Sequence, residues 1–369
     1  MFTYARLGIW IDDQHLLTLP AGWSPEDQEP IRSWVSSQDT AHAFTSRDGL
    51  PWTESSHHRP VISAPILDDD TGQILGGIFV ELVDLGQSWD RQTLQRLLPS
   101  LQGLAAQIAS ALHQAKVYKE TLAYQKTQQE LAIARQIQTS FLPRELPQIP
   151  GWQISASLEP AYEMAGDFYD LIPLPDDHLG ILIADVADKG IGPALYMALS
   201  RTLIRTFAVQ NLDQPEGELQ FANQRILQDT DYGLFVTTFY GVLDPHTGEL
   251  TYANAGHNPP WVFDPDKRDP DLLVKTGMAL GVDDSVRWTK ASVRLAPGST
   301  VFFYTDGATD AQNVTGEMFD EQRLLEVVQA NRSRPAAELN AAIITEIRIF
   351  ASNTPQFDDI TLIVVRREK

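Results

Sequence analysis

The sequence predicts an α/β (α+β) protein in which two α/β regions are joined by a long helical segment. Short apolar runs bounded by Asp, Gly and Pro occupy both ends of the chain, and such runs are typical of buried strands. A stretch of heptad-spaced apolar residues separates these regions. The length of 369 residues is sufficient for two domains.

The N-terminal region, residues 1–92, is predicted to be a small α/β domain. LGIWI and HLLTLP are strand-like and are separated by a turn at Asp12-Asp13-Gln14. The sequence VISAPILDDDTGQILGGIFVEL then predicts a hairpin, because two apolar runs flank a DDDTG turn.

Residues 93–142 are predicted to be helical and to end before Pro143. Apolar residues recur at a and d spacing, in the series Leu94, Leu101, Ile108, Ala115, Leu122 and the series Leu98, Ala105, Leu112. One interpretation is a coiled-coil connector that forms a parallel homodimer. The other is an amphipathic helix that caps the N-terminal domain.

A Pro-rich boundary, PRELPQIPG, precedes a second α/β domain at residues 150–369. Strands are expected near 152–158, 168–174, 179–186, 235–243, 249–254, 260–263, 291–295, 300–305 and 360–366. Helices are expected near 193–210, 216–230, 321–330 and 335–352. In the first of these helices, Leu195, Leu199 and Leu203 are predicted to form the buried stripe.

Composition narrows the possible functions. The net charge of −21 argues against nucleic-acid binding, which depends on clustered Lys and Arg. The absence of cysteine excludes disulfides, thiolate metal sites and a cysteine nucleophile. No apolar stretch approaches the roughly 20 residues that a membrane span needs, and no signal-peptide pattern is visible. We therefore expect a cytoplasmic protein that does not associate with membranes.

Four acidic motifs are the most informative feature of the second domain: AGDFYD, IADVADKG, YTDG and FDDIT. Three of them adjoin apolar runs, so their carboxylates are expected where strands enter or leave a core. An unpaired buried carboxylate costs several kcal/mol or more, so a fold alone does not explain these acids. Aspartates without His or Cys favour Mg²⁺ or Mn²⁺. Two such ions would activate a water for attack on a phosphoester.

These motifs, together with others in the same region, resemble those of a known protein family. Residues 131–369 resemble the SpoIIE/RsbU-type serine/threonine phosphatases of the metal-dependent, type 2C group, through these strings in order: LAIARQIQTSFLP, AGDFYD, ILIADVADKGIGPALYMALSRTLIR, FVTTFYGVLD, YANAGHNPP, GMALGV, VFFYTDGATDA and FDDITLIVV. The resemblance implies an α-β-β-α sandwich of two mainly antiparallel sheets flanked by helices. The N-terminal region resembles a GAF sensor domain that is either truncated at its start or a reduced version.

The resemblance also implies roles for individual residues. Asp185 is similar to the ligand that bridges two metals, and the Val186 carbonyl to a backbone donor. Asp167 resembles the acid that supports the first metal, and Asp306 and Asp358 resemble ligands of the second.

Further roles follow from the same motifs. Asp359 is a further candidate for contact with a metal or its water. Asp170 and Asp188 are expected to be solvated or to stabilise turns. Gly166 and Gly190 are expected to let backbone approach the metals and phosphate.

Other conspicuous residues have simpler interpretations. His257 is either a general acid or, as we favour, part of a structural turn. His57-His58 is expected in an exposed loop, and residues 264–271 at a polar hairpin tip. Arg201 and Arg205 are expected on a solvated helix face.

The predicted function is hydrolysis of phosphoserine or phosphothreonine on a partner protein, regulated by the N-terminal domain. The resemblance implies that this partner is an anti-sigma-factor antagonist of the STAS type. A catalytically silent docking module and a small-molecule phosphoesterase are the alternatives.

Overall fold

A computed structural model describes residues 4–11, 14–19, 25–45, 48, 50, 59–68, 70–82, 89–162, 164–209, 214–229 and 233–369. The chain divides into two compact units, Met1–Thr127 and Gln128–Lys369. In the described ranges, no helix combines the length and the apolar character that a membrane span requires.

The first unit contains one five-stranded antiparallel sheet with the strand order β2-β1-β5-β4-β3. Its strands are β1 Tyr4–Ile11, β2 Gln14–Leu19, β3 His42–Phe44, β4 Val61–Leu67 and β5 Ile74–Leu82. Helix α1, Pro25–Ser36, was not predicted from the sequence. The predicted hairpin is present as β4 and β5. His57-His58 and the Asp12-Asp13 part of the predicted turn lie outside the described residues.

Helix α2 runs from Arg91 to Phe141, close to the predicted limits. Its first part packs on the sheet of the first unit, where Leu94, Leu101 and Ala105 are buried in one cluster with Ile62 and Ile78. The predicted heptad seam is therefore covered by the same chain in this part, as expected for a helix that caps a domain. Further along α2, large apolar side chains are exposed: Val117, Tyr118, Leu122, Tyr124, Ile133 and Ile137.

The second unit contains two five-stranded antiparallel sheets, ordered β13-β10-β9-β8-β7 and β12-β11-β14-β15-β6. The strands are β6 Trp152–Glu159, β7 Phe168–Pro173, β8 Leu179–Val186, β9 Val236–Asp244, β10 Glu249–Ala255, β11 Trp261–Phe263, β12 Asp271–Leu272, β13 Ala291–Arg294, β14 Thr300–Tyr304 and β15 Ile360–Arg367. The helices are α3 Ile191–Ala208, α4 Pro215–Asp229, α5 Glu321–Asn331 and α6 Ala336–Ala351.

The two sheets form the middle layers of an α-β-β-α sandwich. Alternate residues of β8 show why, since Ile181 and Ile183 are buried between the sheets. Leu182 and Ala184 face the opposite way, into a cluster with α3 and α4. A third cluster joins the second sheet to α5 and α6. Strands β8, β14 and β15 are buried on both faces, which accounts for their nearly continuous apolar sequences.

The predicted strands and helices of this unit are all present. The two-residue strand β12 was not predicted, and residues 264–270 form the expected connection between β11 and β12, which begins at Asp271. The predicted leucine stripe of α3 was wrong at Leu195, which is 65% exposed, whereas Leu203 is partly buried against the core. The buried face instead carries Met197, Ile204 and Ala208.

Candidate active site

Two predicted acids lie side by side at the end of the first sheet. Asp185 is near the end of β8, and β7 pairs with β8 so that Phe168 lies opposite Ala184. This register places Asp167, the residue before β7, next to Asp185. The backbone pairing of two neighbouring strands therefore brings together acids that are 18 positions apart in the sequence.

The second sheet supplies the other acids. Asp306 follows β14 and begins a short 3₁₀ turn, whereas Asp358 and Asp359 directly precede β15. Strands β14 and β15 are antiparallel neighbours, with Tyr304 opposite Leu362. The end of one strand and the start of the other therefore lie at the same edge of the sheet.

Hydrogen bonds between the two sheets hold the Asp167 carboxylate. Atom Oδ2 of Asp167 accepts hydrogen bonds from the hydroxyls of Thr305 at 2.7 Å and Thr361 at 2.6 Å. The side chain of Asp167 is only 2% exposed. Two hydroxyl donors offset part of the cost of burying this carboxylate. Neither threonine was singled out from the sequence, although each belongs to an acidic motif.

Asp359 is bound to backbone rather than open to solvent. Its Oδ1 accepts from the N–H of Ala161 at 2.8 Å. Its Oδ2 accepts from the N–H of Gly166 at 2.7 Å and of Asp167 at 3.4 Å. The carboxylate of Asp359 thus fixes the segment that carries Asp167, and this contact joins the second sheet to the first.

Gly166 permits a close approach at the centre of the site. A Cβ atom at this position would lie 3.0 Å from the carbonyl oxygen of Val186 and 3.9 Å from Oδ1 of Asp185. A larger residue would therefore fill the space between the Asp167 segment and the end of β8. Gly190 has a different reason to be glycine, because its φ of 106° is unfavourable for other residues.

The carboxylates interact electrostatically. Burial raises the pKa of the Asp185 carboxyl to about 7, with further contributions from the charges of Asp306 and Asp358. Burial also raises the pKa of Asp306, and the charge of Asp358 adds to this effect. Burial and the charge of Asp185 hold the pKa of Asp167 well above its usual range. The folded chain therefore concentrates negative charge in a place where water solvates it poorly.

Lys189 is a cation beside this cluster. Its Nζ lies 3.0 Å from Oδ2 of Asp358, donates to the carbonyl oxygen of Phe357 and lies 3.9 Å from the centroid of the Phe357 ring. The side chain of Lys189 is 34% exposed, so its ammonium group is accessible to a ligand.

The donor set fits a hard divalent cation, since it consists of carboxylate oxygens together with the Val186 carbonyl beside Gly166. The raised pKa of Asp185 also favours a cation at this site, because a cation would relieve the repulsion between carboxylates that contributes to the raised pKa. In the ranges that the structure describes, no three His, Asp or Glu side chains surround a common ion position, so the fit lies in the type of donor and not in a formed coordination sphere.

Comparisons with known proteins identify the family. The family model of stage II sporulation protein E (SpoIIE) matches residues 175–368, which is more than half of the chain. The chain belongs to the SpoIIE family. The family membership that was predicted from the acidic motifs is confirmed.

Relatives and solved structures agree with this membership. The chain is 39% identical to Protein IcfG of Synechocystis over 264 residues, covering 64% of this chain and 41% of IcfG. It is 29% identical to phosphoserine phosphatase RsbU of Bacillus subtilis over 251 residues, covering 66% of this chain and 72% of RsbU. The SiaA-PP2C domain of Pseudomonas aeruginosa matches with a TM-score of 0.60 at 25% identity, covering 66% of this chain and 98% of that domain. This chain spans less than half the length of IcfG. The predicted type 2C sandwich fold is confirmed.

One acidic residue of this SpoIIE-family chain differs from its prediction. Asp170 is fully buried rather than solvated, and its carboxylate contacts Arg201 at 2.7 Å and Arg205 at 2.7 Å. Arg201 is itself only 9% exposed, so the expectation of a solvated face for this arginine was also wrong. Buried charges need partners, and the two arginines on α3 provide them for Asp170 on β7.

His257 occupies a structural position in the SpoIIE-family fold. Its backbone N–H donates to Oδ1 of Asn254 at 2.8 Å, and its Nδ1 lies 3.0 Å from the Thr237 hydroxyl. Burial lowers the pKa of the His257 ring to about 3, so the ring is neutral at pH 7. These contacts agree with the structural turn and not with a general acid.

Asp188 has the turn-stabilising role that was expected. It is exposed, and its Oδ1 accepts from the N–H of Lys189 at 2.8 Å. Sequence reasoning did not identify Lys189 or Gln138, although both lie within the strings that carry the family resemblance.

Proposed function

We propose that this chain is a metal-dependent protein phosphatase that hydrolyses phosphoserine or phosphothreonine on a partner protein. The observation that carries the proposal is the convergence of Asp306 and Asp358 on the buried Asp185, because burial and then the charges of these two acids raise the pKa of Asp185. Membership of the SpoIIE family and similarity to a relative named phosphoserine phosphatase RsbU support the reaction class.

The residues of the site have two proposed roles: some bind the metal ions, and others hold these ligands in position. Asp185, Asp306, Asp358 and the Val186 carbonyl would hold two Mn²⁺ or Mg²⁺ ions. When bound, these ions would supply Lewis acidity and an activated water for attack on the phosphoester. Asp167 is a candidate ligand whose carboxylate is oriented by Thr305 and Thr361.

Asp359 is the least suited of the predicted ligands to direct contact with metal. Both of its carboxylate oxygens already accept backbone hydrogen bonds. We propose that it positions the Gly166–Asp167 backbone for the reaction, and that any contact with the ions is through water.

Lys189 would act on the substrate side of the site. Its ammonium group lies beside Asp358 and is partly exposed, so it can attract a phosphate dianion toward the acids. The absence of cysteine leaves direct hydrolysis by water, without a cysteinyl-phosphate intermediate, as the proposed route.

We further propose that the partner is an anti-sigma-factor antagonist of the STAS type, as the family resemblance implies. The first unit would regulate the reaction as a GAF-like domain, which its antiparallel sheet order β2-β1-β5-β4-β3 supports. The exposed apolar residues Val117 and Leu122 of α2 support a homodimer through this helix. Sedimentation of the full chain would test the dimer, and a monomer at micromolar concentration would contradict it.

Hydrolysis of a phosphoserine peptide with Mn²⁺, Mg²⁺ or EDTA tests the reaction. We expect activity with either metal and none with EDTA. Asp185→Asn should abolish this activity, because a neutral amide is a poor ligand for a hard cation. Asp188→Asn is a matched control that changes an exposed acid three residues away and should remain active.

Four results would contradict the proposal. Metal-independent hydrolysis would exclude the metal-assisted route, and full activity of the Asp185→Asn protein would exclude the assigned ligand. Binding of a phosphopeptide without turnover would instead favour a silent docking module. Turnover of small phosphoesters but not of phosphopeptides would favour a small-molecule phosphoesterase.

A further inference from the structure

Gln138 is a buried amide near the end of an otherwise exposed helical segment. Only 7% of its surface is exposed, whereas residues 135–137 and 139–140 of α2 are all exposed. It belongs to the LAIARQIQTSFLP string, to which the proposed reaction assigns no role. A buried amide requires hydrogen-bond partners, so its contacts indicate what it does.

The amide nitrogen and the amide oxygen of Gln138 both form hydrogen bonds with the backbone of Ala165. Its Nε2 donates to the carbonyl oxygen of Ala165 at 2.6 Å, and the N–H of Ala165 donates to its Oε1 at 3.0 Å. This is the pair of bonds that two opposite residues exchange in an antiparallel ladder. The side chain of Gln138 therefore makes the two hydrogen bonds that a neighbouring strand would make with Ala165.

The contact is part of a continuous set. The N–H groups of Ala165, Gly166 and Asp167 point to side-chain oxygens, the first to Gln138 and the next two to Asp359. These three residues are thus held on one side by α2 and on the other by the start of β15. Strand pairing through β7 begins only at Phe168.

The segment held in this way forms one wall of the candidate active site. Gly166 lies against the Val186 carbonyl, and Asp167 follows it directly. A shift of Ala165 would move both residues relative to Asp185. Catalysis by positioned groups is sensitive to displacements of this kind.

The contact depends on the rotational position of α2. A cavity of about 160 Å³ lies beside the contact, lined by Gln138, Ala165, Asp167 and Met197 among others. A turn of α2 by one residue would rotate its side chains by about 100° and remove the amide from Ala165. The neighbours Ile137 and Thr139 have no amide group to replace it.

We propose that Gln138 is a positioning residue, through which the end of α2 fixes the Ala165–Asp167 backbone and thereby the geometry of the acidic site. This inference rests on the proposed function, because the segment matters to the reaction only if Asp167 and its neighbours serve it.

Gln138→Met tests the inference, since methionine has a similar length and volume but cannot form the two hydrogen bonds. The matched control is Gln136→Met on the exposed side of the same helical turn. Gln138→Glu is a second variant, which keeps an acceptor for the Ala165 N–H and loses the donor. Two quantities are measured on each full-length protein: hydrogen exchange of a peptide that covers residues 161–168, and Mn²⁺ affinity by calorimetry.

For Gln138→Met we expect exchange in this peptide to be at least about tenfold faster and the Mn²⁺ dissociation constant to rise at least about tenfold, as the loss of two hydrogen bonds predicts. Gln136→Met should change neither. Gln138→Glu should weaken Mn²⁺ binding at least as much as Gln138→Met, because its carboxylate would face the carbonyl oxygen of Ala165 with no donor between them, and it decides the question if the Met variant does not fold.

The inference would be overturned if the Gln138 variants exchanged at the wild-type rate and bound Mn²⁺ with the wild-type affinity. Faster exchange with unchanged Mn²⁺ affinity would also overturn it, because Gln138 would then be merely structural. If the wild-type protein binds Mn²⁺ but hydrolyses no phosphopeptide, the proposed function fails while both measurements still decide the role of Gln138.

Discussion

Asp185 makes the metal-free protein sensitive to pH in a direction that can be predicted. Burial and neighbouring carboxylates raise the pKa of Asp185 to about 7 from an ordinary value of 3.8. A carboxyl with a raised pKa stabilises the fold while it is protonated, and this stabilisation is lost as pH rises through the folded-state value. We therefore expect the metal-free second unit to become less stable between pH 4 and pH 7.

The magnitude follows from the same pKa. A difference of one pH unit corresponds to about 1.4 kcal/mol, so the whole effect has an upper limit of about 4 kcal/mol. About 3 kcal/mol of this would be lost between pH 5 and pH 8. Asp185→Asn removes the titrating group, so the variant should equal the wild type near pH 4 and be more stable at pH 8. A substitution that abolishes activity would thus stabilise the metal-free fold.

The assay is urea unfolding of the EDTA-treated full chain at pH 5, 6, 7 and 8. Pulsed hydrogen exchange, read on peptides from β8 and β15, reports the second unit separately from the first. Asp188→Asn again serves as the control and should follow the wild type. Parallel pH dependences of the wild type and Asp185→Asn would refute the reasoning, because they would show that Asp185 is not destabilised when ionised.

Two further substitutions test the parts of the fold around the site. Asp170→Asn leaves the mostly buried Arg201 without its carboxylate partner, so we expect a loss of about 3–5 kcal/mol in unfolding free energy, and an unchanged urea midpoint would contradict this. In Gly307→Ala the added Cβ would overlap the carbonyl oxygen of Asp359, so we expect a loss of about 1–3 kcal/mol and weaker Mn²⁺ binding by calorimetry. Gly192→Ala, where a Cβ meets open space, is the control for this substitution and should change neither property.

Most of the second unit was predictable because its central strands are buried on both faces. The runs that became β8 and β15 are continuous and apolar, and the acids at their ends mark the limits of burial. Helix α3 shows where this reasoning fails. Its leucines suggested one stripe, but the helix turns Leu195 outward and buries Arg201 against Asp170. Sequence pattern alone does not reveal a buried ion pair, because each member is counted as a surface residue.

The acids of the site were predictable, but their separate roles were not. All four motifs place a carboxylate at a strand end, and only the pairing of β7 with β8 and of β14 with β15 shows which ends meet. The role of Asp359 depends on backbone N–H groups almost 200 positions earlier in the chain. Such a contact leaves no local pattern in the sequence. The same holds for Gln138, whose partner Ala165 is 27 residues away.

The structure separates two kinds of acid at this edge of the sandwich. Asp167 and Asp359 accept hydrogen bonds from protein groups, which offset part of the cost of ionising them, although burial still raises the pKa of both carboxyls. Asp185 and Asp306 are affected mainly by burial and by the charge of other carboxylates, both of which oppose ionisation. The acids with these hydrogen bonds connect the two sheets and set the geometry, whereas at Asp185 and Asp306 we expect a cation to offset the burial and the repulsion. Strain of this second kind persists only where surrounding structure enforces it, and here the hydrogen bonds of Asp167 and Asp359 join the two sheets that carry Asp185 and Asp306.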